Sequence, residues 1–273
     1  MTAITAARRN ARLYLRFLGA GFRSQTIYGF DSALLLFAVV FLNVVDLSLL
    51  AVMLTRFEAL GGWTMWEVVL LYCMFLAVLG LQYLFTLHLN RIDEFIQDGT
   101  LDQMLVRPVS PLLQLVAREF HLRNLFHHFG TGIVGVLIAM AGLGLAWTPE
   151  RVAILAASLV GGTLLLTGMV LALASLAFWT VRSQVFLFGT AEIQEAVQHY
   201  PATVFGQWFV RAMTFLLPLA FVNYYPVMAL TGRADEAMHP LLPYASPLVG
   251  SAVLAVGVVV WRAGLRRYES TGN

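Results

Sequence analysis

The chain has 273 residues, of which 59% are hydrophobic and 12% charged. Soluble domains carry about 25% charged residues, so the apolar runs leave no room for a sizeable soluble domain. All 17 basic residues are arginine, which rules out the phosphate-binding motif GxxxxGK[ST] and nucleotide hydrolysis by that route. The single cysteine, Cys73, rules out an internal disulfide and any cysteine metal cluster.

Residues 1–31 read as a basic amphipathic helix in the membrane interface. Ile4, Ala7, Ala11, Leu15 and Leu18 form one stripe, and Arg8, Arg9, Arg12, Arg16 and Arg23 fall largely elsewhere. Such a helix favours the side rich in anionic lipid, as an anchor or also as a partner contact. Six apolar segments follow, near 32–54, 66–87, 122–147, 152–179, 208–230 and 247–261. About 20 apolar residues cross the hydrocarbon. The six tryptophans fall at predicted segment ends, as an aromatic belt requires. The fold class expected is therefore all-α: one polytopic membrane domain over 1–273, with six transmembrane helices.

With six spans both termini share one side. Only Arg56, Arg151 and Arg233 then fall on the other, and the positive-inside rule places the termini in the cytoplasm. Residues 88–121 and 181–207 become cytoplasmic loops. The first carries Asp93, Glu94, Asp98 and Asp102 among apolar residues at helical spacing. Gly99, Pro108 and Pro111 interrupt it, predicting two short helices and a turn. The second holds AEIQEAV, predicting a brief cytoplasmic or re-entrant helix before span five.

Asn43 and Asp46 lie one turn apart within span one. Intramembrane acids usually face a cavity or a partner, although Asp46 near the outer interface would simply be hydrated. Gln82 suits either the same path or an interhelical hydrogen bond. Pro218, followed by Asn223, Tyr224 and Tyr225, predicts a static bend or a gating hinge near an outer exit. Ala153, Ala157, Gly161, Gly168 and Ala172 form a small-residue packing stripe. His127 and His128 point to different helix faces, so no metal site is expected.

The stretch RIDEFIQDGTLDQMLVRPVSP resembles the cytoplasmic loop of a branch of ABC-2 type transporter permeases, with Gly99, Leu101, Asp102, Leu105, Arg107 and Pro108 at the signature positions G-x-L-D-x-x-L-x-R-P. FLLPLAFVNYYPVMAL is similar to a second block of that family, at Pro218, Phe221, Asn223, Tyr225 and Pro226. The resemblance extends to the whole layout. It implies an inner-membrane permease subunit, without its own ATPase, of a bacterial drug, viologen or lipid exporter. Two ATP-binding subunits would carry the ATP and Mg, this chain binding no cofactor. A second permease subunit, identical or related, and membrane lipids complete the partners, with no nucleic acid. The first loop would be the coupling helix: Asp93, Glu94 and Asp98 as acids for a partner groove, Leu101 and Leu105 as apolar contacts, Arg107 for an acid, and Pro108 fixing the turn. The alternatives are a membrane enzyme acting on lipids, or a scaffold that does not transport.

Overall fold

The computed structural model describes residues 29–56, 61–118, 125–180 and 183–269. The expected helix over 1–31 lies almost wholly outside them. The described residues are helices and turns, with no strand among them. In chain order, α1 is Gly29–Arg56, α2 Met65–Thr86, α3 Ile92–Gln97, α4 Thr100–Leu105 and α5 Pro111–Arg118. A π-turn, Leu125–Gly130, leads into α6, Thr131–Gly142. Then come α7 Pro149–Ser175, α8 Gln184–His199, α9 Gln207–Phe215, α10 Tyr224–Thr231 and α11 Ser246–Arg267.

Among the described residues, three helices are long and apolar enough to cross a membrane: Met65–Leu84, Pro149–Phe178 and Ser246–Arg267. Phe37–Leu49 within α1 and His127–Gly142 are shorter apolar helices. The fifth expected span is not one rod. Its halves, α9 and Leu219–Thr231, meet at 85°, far beyond a proline kink. Pro218 sits at the break and Leu216 ends the α9 ladder. Gln207 before the bend and Arg233 after it line the same pocket beside Trp63. The pair therefore enters and leaves at one end of the bundle, as a hairpin.

The segment 181–207 holds a longer helix than the brief one expected. α8 is 16 residues long, about 24 Å at 1.5 Å per residue. Its start is bound to the first loop, where Asp93 accepts hydrogen bonds from Ser183 and Gln184. Its last residue, His199, lies edge-on to Tyr72 in the first third of α2. Just beyond it, Thr203 donates to Gly61 O at 3.3 Å, ahead of α2. So α8 runs the length of the bundle rather than forming a brief loop helix.

Two cores hold this arrangement. One surrounds α2 and the hairpin, with Trp63, Tyr72, Phe75 and Tyr225 buried in it. The other joins the first loop to α7 and α11 through Ile92, Phe95, Met104, Leu171 and Trp261. α7 and α11 run parallel and touch backbone to backbone. A Cβ on Gly250 would fall 2.0 Å from Gly161 O, and one on Gly257 2.5 Å from Gly168 O. Small residues allow such an approach. Of the expected stripe, Gly161 and Gly168 lie in this seam, whereas Ala153 and Ala157 are exposed.

Candidate functional site

The first loop is shaped by its helix breakers. Asp98 ends α3, Gly99 takes the left-handed conformation at φ 72°, and α4 starts at Thr100. That conformation costs glycine nothing. Asp98 Oδ1 accepts from Thr100 N at 2.9 Å. After α4 the chain turns through Arg107 and Pro108, and Gln114 clamps the turn by donating to Met104 O and Val109 O, both at 2.8 Å. Ser110 Oγ accepts from Leu113 N at the start of α5, with Pro111 at the first helical position, where no amide partner is needed.

The loop has two faces. Turned inward are Ile92, Phe95, Leu101 and Met104, all buried. Asp93 also points inward, at 6% exposure. Its Oδ2 accepts from Ser183 N at 2.8 Å and Gln184 N at 3.2 Å, and its Oδ1 from Ser183 Oγ at 2.5 Å. These amides are orphan donors at a helix N-terminus, where a carboxylate is favoured. Asp93 and Leu101, expected as partner contacts, thus hold the loop to its own bundle. The outward face carries Glu94, Asp98, Arg107 and Pro108, whereas Gly99, expected as a partner contact, is buried in the turn. Beside them Leu105 is 40% and Val106 85% exposed. Glu94 pairs with Arg91 at 2.8 Å. Asp102 is half-buried, next to the Tyr268 hydroxyl after α11. Burial first, then the Asp102 carboxylate, pushes that tyrosine's pKa up to about 12.

The residues expected along a substrate path separate into three places. Asn43 and Asp46 lie together: Tyr72 OH donates to Asn43 Oδ1 at 2.8 Å and approaches Asp46 Oδ2 at 3.4 Å. Gln82 is buried nearer the loop and bonds Thr86. Asn223, Tyr224 and Tyr225 are buried in the hairpin, and the two tyrosines line the small pocket of about 170 Å³ beside Trp63. Asn223 Nδ2 donates to Val197 O at 3.0 Å and Leu71 O at 3.3 Å, tying α8 to α2. Tyr225 OH meets Thr214 Oγ1 at 2.9 Å, and Tyr224 packs on Trp63. Arg233, below the hairpin, stacks on Trp63 at 4.6 Å and bonds Glu67 and Glu236.

The open cleft beside Asp46 measures about 420 Å³ and is lined also by Glu192, Glu195, His199 and Tyr200 of α8 and its end. His199 Nε2 is 3.9 Å from Asp46 Oδ2. Both glutamates belong to the AEIQEAV stretch, which the sequence alone does not place beside Asp46. Glu192, Glu195 and His199 recur at helical spacing, which was the available signal.

No curated protein and no solved structure matches the chain. A family model described as ABC-2 family transporter protein matches residues 40–272, taking in the loop, α8, the hairpin and the glycine seam. The chain belongs to the ABC-2 family of transporter proteins.

Proposed function

We propose that this ABC-2 membrane subunit is the permease of an ATP-driven exporter for amphiphilic molecules, cationic ones foremost. The observation that carries the reading is the two-faced first loop: its inner face is bonded into the bundle, while Leu105, Val106, Arg107 and Pro108 stand outward. A rigid knob with an apolar tip and a charged rim suits the groove of a separate ATP-binding subunit. Two such subunits, holding ATP and Mg, would work with two permease subunits. The second permease copy would cover the acidic cleft, because Asp46, Glu192 and Glu195 are costly against lipid. Enclosed there, the acids would balance a cation.

The membrane layout keeps six spans but reassigns one. α1, α2, the 125–142 segment, α7, α8 and α11 cross, and the α9–α10 hairpin dips back from the outer side. Both termini and the first loop stay in the cytoplasm. Arg211 moves to the outer half, and the arginine bias still favours this orientation.

The test is purification from native membranes in mild detergent, with mass spectrometry of accompanying chains. An ATP-binding subunit should accompany the parent protein and be lost from Leu105→Glu/Val106→Glu. Retention by the double variant would move the docking site elsewhere. Its absence from an intact parent preparation would turn the reading towards a lipid-modifying enzyme or a scaffold.

A further inference from the structure

We propose that Asp93 is the positioning residue through which the loop moves α8, so that α8 acts as the rod between the ATPase and the far end of the bundle. The proposal rests on the permease reading given above. Asp93 is buried, and both its oxygens are committed to the first amides and the first hydroxyl of a helix some 90 positions further along the chain. The loop's remaining inward contacts on α7 and α11 are chiefly apolar. Apolar contacts are non-directional and permit sliding. Charge-assisted hydrogen bonds fix distance and direction together.

α8 suits such a role because between its ends it packs chiefly through the half-buried Leu187 and Ile193. Of its residues only Val197 is fully buried, while Val185, Phe186 and Phe188 stand exposed near its start and Glu192 and Glu195 line the cleft. Its position is set at its ends. At the far end Val197 O receives Asn223 of the hairpin, and His199 reaches Tyr72 and Asp46. A displacement at Asp93 therefore arrives, through one stiff helix, at both the acidic cleft and the hairpin. α7 and α11, locked at Gly161–Gly250 and Gly168–Gly257, supply the fixed frame against which α8 moves.

The experiment uses the full complex with its accompanying ATP-binding subunits, in a Cys73→Ala background. Spin labels are placed at Val259→Cys on α11 as reference, paired with Gln97→Cys on the loop or with Phe188→Cys on α8. Distances are measured without nucleotide and after trapping with ATP and vanadate. Trapping should shift both distances in the parent. In Asp93→Ala the loop shift should persist and the α8 shift should be lost. A merely structural cap would alter resting stability and leave the α8 shift intact. Should Asp93→Ala fail to assemble, Asp93→Asn decides, since asparagine still caps helices well. It should reduce the α8 shift with the loop shift unchanged. A full α8 shift in either variant overturns the proposal, as does a parent in which α8 stays still while the loop moves. Absence of ATP-binding subunits from the preparation overturns the permease reading instead.

Discussion

α7 and α8 are consecutive helices held in opposite ways. α7 is buried along much of its length and meets α11 through glycines, with no room for one extra carbon. α8 has a single fully buried side chain and is secured at its two ends by hydrogen bonds. Close packing gives a bistable or fixed contact rather than a deformable one. A helix bonded only at its ends can tilt or shift once an end is pulled. The contrast assigns the seam to the frame and α8 to the moving part.

The most damaging way to break that contrast is to wedge the seam. Gly250→Leu puts its side chain into Gly161 backbone and should cost about 3 kcal/mol or more. Size-exclusion profiles and thermal unfolding in detergent should show loss of the folded protein. Phe188→Leu, on the exposed side of α8, should be nearly silent in the same assays.

Asp93→Ala comes next. It removes a cap and leaves buried amides of α8 without their acceptor, a loss of about 1–2 kcal/mol. The unfolding temperature should fall and Asp93→Asn should recover most of it. If Asp93→Ala were as stable as the parent, the bonded end of α8 would not be fixed as described.

At the opposite end, Arg233 joins the hairpin to α2 through Glu67 and Trp63. Arg233→Gln should cost about 1 kcal/mol. Its bond to Glu236 lowers that carboxyl's pKa from the ordinary 4.5. A depressed folded-state value gives stabilisation that is full above the ordinary pKa and is lost as pH falls through the lowered one. The stability gap between parent and Arg233→Gln should hold at neutral pH and narrow below about pH 4.5. A gap that widens on acidification would contradict the pairing.

The smallest effect on stability and the most selective one on transport is expected from Asp46→Asn. Efflux of tetraphenylphosphonium should fall more than efflux of a neutral amphiphile of similar size. Equal losses would remove Asp46 as a counter-charge.

Much of this arrangement was legible in the sequence, and particular residues show where it stopped. Gly99, Pro108 and Pro111 announced the loop's breaks because glycine and proline act locally on the backbone. Gly161 and Gly168 announced a close helix contact, but nothing local named Gly250 and Gly257 as their partners. Periodicity placed Asp93 and Asp98 alike on a charged helix. Only the tertiary position of Ser183 turns one inward and leaves the other outside. The length of α8 was not legible because Glu192, Glu195, Gln198 and His199 lower its apolarity to that of a loop helix. A helix that turns a polar face to a cleft or a partner does not need the apolarity of a lipid-facing span. Pro218 signalled a bend, whereas its 85° and the return of the chain to Trp63 follow from the packing of Tyr224 and Tyr225.

The most direct test of the account is whether α8 crosses the bilayer. In a Cys73→Ala background, Gln97→Cys on the loop and Val204→Cys beyond α8 would be treated with a membrane-impermeant maleimide on intact cells and after permeabilisation. Val204→Cys should react from outside, and Gln97→Cys only after permeabilisation. Reaction of both only after permeabilisation would return residues 181–207 to the cytoplasm and contradict the rod.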